Sequence, residues 1–460
     1  MEIKRKDVLD DIKDIADKDI NIIFSDPPYS LGSEIYIDKD GKPKYRQARD
    51  FMDKWEFGAD KWEMFFKQAF RVLKHGGFCL LFGMDRQLFL IQYYAQLAGF
   101  EIMQSMYWYF CSSFPKATDC SKQIDKRLGM AREVVGTRNA HDIRSGALME
   151  ATDERIKKEN SIMEYEYTKP ASDLAKEFNG YKYSIAPLKQ TLETIMIFRK
   201  PCKTSPLNDI MEWNENRENG ISPSCLAIDK GRVPIDKHEK NLRLNAKNHI
   251  TNKVAGINCY NKIGLNDERK KGKDRKEFIS DLGFHNSSGR YPSQLFLDKK
   301  CAEIIDKQSG VLTSGELKAH PNKTQNSFLN KGKGFMSCEI NTHVSQANSG
   351  GASRINHICD YEKGEFDLLN YEPKVSSEER GKSNHPTMKP IKLITKILEL
   401  FKLPCKQKIY IPFSGSGSEI IGAIKAGFKN IRACEIDKEY IKISKARINY
   451  HTRQLTFEYS

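Results

Sequence analysis

Short, almost wholly apolar runs alternate with amphipathic segments at both ends of this chain, and a polar stretch, 202–372, lies between them. Residues 20–25 read INIIFS, a run suited to a strand covered on both faces, and the Asp-Pro-Pro that follows ends it. Trp62, Phe65, Phe66, Ala69, Phe70 and Leu73 recur at spacings of three and four, which predicts a helix over 62–73. His-Gly-Gly at 75–77 is expected to stop that helix, and GFCLLFG to form a second buried strand. A helix over 86–98, a strand over EIMQSMYWYF (101–110) and another over TLETIMIFRKP (191–201) continue the pattern. At the other end come a helix from Ile391 to Phe401, the strand KIYIPF, a glycine turn, a helix over 418–427, the strand NIRACE and a helix from Glu439 to Tyr450. Alternation of this kind predicts an α/β fold with a doubly wound, mostly parallel sheet. Neither end carries the usual five or more strands, so the sheet has to draw on both.

Between about 118 and 180 the pattern loosens into charged helical segments. The 202–372 stretch is rich in Asn, Lys, Ser and Gly with small hydrophobic islands such as SQLFLD, and reads as a separate, less regular domain. With 460 residues, 39% of them hydrophobic, the chain is long enough for two or three domains. Lys plus Arg exceed Asp plus Glu by 75 to 61, which suits a polyanionic partner. Residues 241–340 hold 18 basic against 10 acidic residues, so phosphate contacts are expected there. NDERKKGKDRK (266–276) and NKGKG (330–334) are the basic, glycine-punctuated loops suited to them, and equally suited to plain solvated surface.

Eleven cysteines lie far apart, with neither a C-x-x-C pair nor a Cys/His cluster at zinc spacing, so reduced thiols and no metal are expected. The start, MEIKRKDVLDDIKD, lacks the apolar core of a secretory signal, and no run of about 18 apolar residues occurs. A cytoplasmic protein is expected.

In PFSGSGSEIIGAIKAGF, Gly415 and Gly417 stand between a strand and a helix, where absent side chains let a ligand approach the helix N-terminus. A tight turn with no ligand fits a lone G-x-G equally well. Glu435 closes the next strand, 18 residues after Gly417, an offset that suits an acid taking both hydroxyls of a ribose; as a solvated strand-end acid it needs no ligand. Ile420 stands where a dinucleotide fingerprint has its third glycine, so a nucleoside other than NAD is favoured, which suggests S-adenosylmethionine.

With these residues the chain resembles the β-class DNA amino-methyltransferases of bacteria and phages, in which the catalytic motif precedes the cofactor motif. DPPY at 26–29 is similar to the catalytic motif, HPTMKP at 385–390 to a cofactor-flanking motif, and FSGSG at 413–417 to the methionine-binding turn. Weaker blocks follow in family order: FPKATDCSKQIDK (114–126), LKQTLETIMIFRKP (188–201), SGRYPSQLFLD (288–298) and SGGASR (349–354). Ile411 stands where the family commonly has Asp, and Ser113 where it has Gly.

The resemblance implies the S-adenosylmethionine-dependent methyltransferase fold in circularly permuted order. It implies a catalytic half over 1–201, with the charged insertion at about 118–180, a target-recognition insert over 202–372 and a cofactor half over 373–460. The expected activity is methyl transfer to N6 of a flipped adenine in double-stranded DNA. N4 of cytosine is the close alternative, and a DNA-binding module with a decayed site, which Ile411 keeps open, is the distant one. An exocyclic amino group is a poor nucleophile because its lone pair is delocalised into the ring. Hydrogen bonds from it to the Asp26 carboxylate and the Pro27 carbonyl would localise that lone pair. Pro27 and Pro28 remove N–H donors, so acceptors face the amino group, and Tyr29 offers a stacking face. Asp26, Thr387, Lys389, Phe413, Gly415, Ser416, Gly417 and Glu435 are the expected cofactor contacts, with no metal. A cognate restriction endonuclease and a homodimer are compatible further partners.

Overall fold

A computed structural model describes residues 1–28, 34–41, 43–46, 57–110, 117–139, 164–184, 187–235, 289–313, 349–359 and 389–458. The chain divides into two compact units, Met1–Met106 with Thr194–Ser460, and Tyr107–Glu193.

The first unit is built on a mixed, mostly parallel sheet. Six of its strands are β1 (Glu2–Arg5), β2 (Ile20–Ser25), β3 (Leu73–Gly83), β4 (Leu192–Arg199), β5 (Lys408–Ile411) and β6 (Asn430–Glu435), in the order β1-β6-β5-β2-β3-β4. The first five neighbouring pairs share one sheet drawn from both chain ends, as the strand count required. β2 pairs in parallel with β5 (Ile22 opposite Ile409, Ile23 opposite Tyr410), and β1 with β6. β4 runs antiparallel to β3, from Thr194 opposite Gly83 to Arg199 opposite Phe78.

Helices cover both faces. Trp62, Phe65, Phe66 and Ala69 of α2 (Ala59–Val72) and Leu90, Ile91 and Ala95 of α3 (Asp85–Leu97) pack with Ile23, Leu81 and Phe198 in one buried cluster, which the short α1 (Val8–Asp11) joins through Val8. Alternate strand residues point the other way: Phe24 meets Phe82 edge to face, and Phe78 meets Phe401 just after α4 (Ile391–Leu400). α5 (Ser418–Lys425) packs on α4, and α6 (Lys438–Glu458) lies against α5 and β1.

Several expected boundaries shift for identifiable reasons. α2 ends at Val72, ahead of His-Gly-Gly, which lies inside β3. Gly76 sits at φ +76°, and a Cβ there would come 2.3 Å from the Ser222 carbonyl oxygen, because 220–222 bridges to the strand through His75. The last carbonyls of α2, Arg71 and Val72, accept instead from Lys18 N and Asp19 N at 3.0 and 2.9 Å, and the buried Lys200 ammonium donates to Phe70 O and, at the start of β3, Leu73 O at 2.6 and 2.9 Å. Burial lowers that ammonium to about 8. KIYIPF stops as a strand at Ile411, since Pro412 has no N–H and Phe413 turns to φ +55°. The 101–110 run forms two short strands, Glu101–Ile102 and Met106–Tyr109.

Within 202–372 the described residues belong to the first unit. They include helices Pro206–Glu215 and Lys299–Ser309 and a parallel pair, Leu295–Leu297 with His357–Ile358. SGGASR is clamped to the second of these helices by Asp306, which accepts from Ser353 N and Oγ at 2.8 and 2.7 Å. The basic stretches 266–276 and 330–334 lie outside the described residues.

The second unit contains helix Cys120–Leu128 and the antiparallel pair Val134–Asn139 with Glu164–Thr168. Asp125, fully buried, accepts from Arg132, Ser172 Oγ, Ser172 N and Ala171 N, which ties the helix to the segment 171–172. Those bonds hold its carboxyl well below the ordinary range against the opposing effect of burial. Among the described residues no helix is long and apolar enough to cross a membrane.

Candidate active site at the carboxyl edge of the sheet

β2, β5 and β6 are parallel neighbours, so their carboxyl ends open on one edge, the position at which open α/β sheets hold ligands. The segments that leave them there are Asp26-Pro27-Pro28, the glycine turn 412–417, and Glu435. Ser25 Oγ donates to the Pro412 carbonyl, a direct tie between the first two.

Asp26 is the first residue beyond β2, and its Oδ2 accepts from Lys389 Nζ at 2.7 Å. Lys389 precedes α4, is 1% exposed, and its ammonium also lies 5.0 Å from the Phe82 ring centroid. A buried ammonium of this kind is tolerated only when paired. Pro27 is buried and Pro28 partly so, and neither has an N–H.

The glycine turn is held from three sides. Ser414 N–H bonds the Cys434 carbonyl on β6, and Gly417 N–H closes the turn on the Ser414 carbonyl at 2.8 Å. The Phe413 ring packs edge to face on Phe57, 5.1 Å away, which anchors a non-glycine residue in a left-handed conformation. The two glycines differ in purpose. A Cβ on Gly417 (φ +84°) would fall 2.3 Å from Ser444 Oγ, so this glycine lets α6 approach. A Cβ on Gly415 (φ +45°) would find nothing nearer than the Phe413 carbonyl oxygen at 4.0 Å. The chain therefore bares backbone at Gly415 toward open space, as a ligand cradle does. Ser414 Oγ is buried in the same turn with no hydrogen-bond partner among the described residues.

Glu435 ends β6, and its carboxylate is engaged by the turns beside it: Oε2 accepts from Gly415 N at 2.8 Å, Oε1 from Asp437 N at 3.0 Å. Burial pushes the carboxyl up, with the backbone bonds opposing. Each oxygen has acceptor capacity left for a hydroxyl.

Of the residues singled out in the sequence, Asp26, Pro27, Pro28, Lys389, Phe413, Gly415, Ser416, Gly417 and Glu435 thus come together at one edge. Tyr29 and Thr387 lie outside the described residues. Three further groups escaped the sequence reading. Besides Ser25, Arg447 is fully buried on α6 and donates to Ser416 O, Ser416 Oγ and Ser418 Oγ at 2.8, 2.9 and 3.0 Å, which fixes the turn from behind. The recurrence of Ser444, Arg447 and His451 on one helical face, with Ile448 among them, was the available signal. The third is Glu419, buried in the first turn of α5, whose carboxyl burial and the Asp26 charge push up to about 7.

A family model described as DNA methylase, of N6/N4 type, matches residues 20–446. Among solved structures, a protein of Thermus thermophilus described as a DNA modification methylase is 9% identical, with 98% of this chain and 95% of that one covered and a TM-score of 0.36. M1.HpyAVI in complex with SAM is 12% identical, with 97% and 98% covered and a TM-score of 0.33. PvuII DNA methyltransferase, cytosine-N4-specific, is 10% identical, with 98% and 89% covered and a TM-score of 0.36. Among curated proteins no similar sequence is found. The family match spans nearly the whole chain, and the chain belongs to the N6/N4 DNA methylase family.

Proposed function

We propose, with membership of the DNA methylase family as the premise, that this protein transfers a methyl group from S-adenosylmethionine to N6 of an adenine flipped out of double-stranded DNA. The observation that carries the proposal is the shared edge, where the Asp26 carboxylate and the bared Gly415 backbone stand at the ends of adjacent parallel strands.

The donor set there fits the cofactor: open space at Gly415, the buried Ser414 hydroxyl and the spare acceptor capacity of Glu435 suit a polar nucleoside. Phe413, Gly415, Ser416, Gly417 and Glu435 would hold it, with Lys389 and Thr387 flanking. When bound, it supplies a methyl group already activated on a sulfonium. The chain's own work is then positioning. The Asp26 carboxylate and the Pro27 carbonyl accept from the target amino group and draw its nitrogen toward tetrahedral geometry. Lys389 holds Asp26 in place for this role. Tyr29 stacks on the flipped base, which offsets part of an unstacking cost of a few kcal/mol. Asp26 or water carries off the proton.

In the family that the chain resembles, Asp before Pro-Pro-Tyr leans to adenine and Ser to cytosine, so Asp26 favours adenine here. Ile411, the departure that left a decayed site open, is fully buried within β5 opposite Ala433, where an apolar side chain completes the core. The division of labour we propose assigns catalysis to 1–201, target recognition to 202–372 and cofactor binding to 373–460. Binding of S-adenosylmethionine by wild type and by Asp26→Ala, followed calorimetrically beside methyl transfer to duplex DNA, tests the function. Wild type is expected to bind and transfer; a wild type that binds DNA but not the cofactor would return the decayed-site reading.

A further inference from the structure

Three backbone N–H groups of the glycine turn are bound by the protein itself: Ser414 N to the Cys434 carbonyl, Gly415 N to the Glu435 carboxylate and Gly417 N to the Ser414 carbonyl. Ser416 stands between two glycines in left-handed conformations, at φ +45° and +84°, where the backbone has little steric preference of its own. What holds it comes from α6. Arg447 Nη1, fully buried and 31 residues further along the chain, donates to both Ser416 O and Ser416 Oγ, at 2.8 and 2.9 Å, and to Ser418 Oγ at 3.0 Å. A guanidinium is costly to bury unless it is bound in this way. Ser444, one helical turn earlier, brings the same face of α6 so near that a Cβ on Gly417 would fall 2.3 Å from its Oγ. The carbonyl and the hydroxyl of Ser416 are therefore both engaged by Arg447, while its N–H has no acceptor among the described residues.

We propose that Arg447 is a positioning residue for the cofactor: by binding both oxygens of Ser416 it holds the backbone from Gly415 to Gly417 in the one form that leaves the Ser416 N–H as a donor for S-adenosylmethionine. The inference rests on the glycine turn being the cofactor site of the proposed function. Ser416 then serves the cofactor through its backbone, and its hydroxyl belongs to the support behind the turn. Arg447 itself touches no cofactor atom on this account. Its removal acts on cofactor affinity and leaves the transfer step, which Asp26 governs from β2, to run at its own rate once the site is filled.

The test is calorimetric titration with S-adenosylmethionine, beside thermal unfolding and single-turnover methyl transfer to duplex DNA at saturating cofactor, for the full-length wild type, Arg447→Met, Arg447→Lys and Ile448→Ala. Ile448, the buried neighbour of Arg447, is the control, since its truncation removes packing from the same helix and no bond to the turn. Arg447→Met is expected to bind at least about tenfold more weakly, with saturated transfer within about twofold of wild type. Arg447→Lys is expected to recover part of the affinity and remain about threefold weaker than wild type. Ile448→Ala, at a comparable loss of melting temperature, is expected to bind as wild type does. Wild-type affinity in Arg447→Met, or an equal loss of affinity in Ile448→Ala, overturns the inference and leaves the proposed function standing; a wild type that binds no S-adenosylmethionine overturns both. Should Arg447→Met fail to fold, Arg447→Lys decides, and affinity equal to wild type then overturns the inference.

Discussion

Lys389 Nζ lies 2.7 Å from Asp26 Oδ2, although 363 residues separate the two in the chain. The pair joins the end of β2 to the start of α4 at the edge where the glycine turn also opens. Removal of one partner takes a short charge-assisted bond from the other, whose side chain is at most 9% exposed. Lys389→Met is therefore expected to destabilise the first unit by about 3–5 kcal/mol in urea unfolding and to abolish transfer, whereas Lys389→Arg recovers part of the stability. A Lys389→Met variant as stable as wild type would show that the pair holds little together.

Gly415 and Gly417 separate binding from folding. Gly415→Ala adds a methyl group where the chain has room, so only the left-handed backbone opposes it, at a cost of about 1 kcal/mol. It is nevertheless expected to weaken S-adenosylmethionine binding at least about tenfold by filling the cradle. Gly417→Ala drives a Cβ into Ser444 and is expected to lower the melting temperature clearly. Calorimetric titration beside thermal unfolding distinguishes the two; equal loss of stability in both variants would contradict the assignment.

Ser25 ties the catalytic turn to the glycine turn by one hydroxyl. Ser25→Ala leaves the Pro412 carbonyl without that donor and is expected to cost about 1 kcal/mol. A fall in kcat larger than the stability change should accompany it, because the turns lose their mutual placement.

Glu419 also predicts a dependence of stability on pH. Its folded carboxyl, at about 7, lies above the unfolded value of 4.5, so the folded state holds the proton more tightly. The stability gained from that proton is present below about pH 4.5 and is lost as pH rises to about 7, a total of about 3 kcal/mol. Glu419→Gln should remove this slope, and at about pH 8 should be more stable than wild type. Urea unfolding across that range checks it.

Much of the frame was legible because local chemistry dictated it. INIIFS suited a strand covered on both faces, and the shortage of strands at each end required one sheet from both; that β2 lies beside β5 is seen only in the structure. The register that sets Asp26 near the glycine turn then follows from two strands that end together. Boundaries moved where a tertiary partner overrode a local signal: His-Gly-Gly reads as a helix stop, but the 220–222 segment and Lys200 make it part of a strand. Arg447 and Glu419 escaped because each is a charged residue in an amphipathic helix, and only packing reveals that it faces inward. Glu435 was placed correctly at the rim, while its bond to Gly415 N–H depends on the fold of a turn 20 residues away.

The most direct measurement of the central claim is mass spectrometry of nucleosides from duplex DNA incubated with the purified protein and methyl-labelled S-adenosylmethionine, beside Asp26→Ala. The account predicts labelled N6-methyladenine from wild type, and none from Asp26→Ala, which still binds DNA. Labelled N4-methylcytosine would replace adenine as the target, and labelled base made by Asp26→Ala at a rate near wild type would contradict the chemistry proposed for this edge.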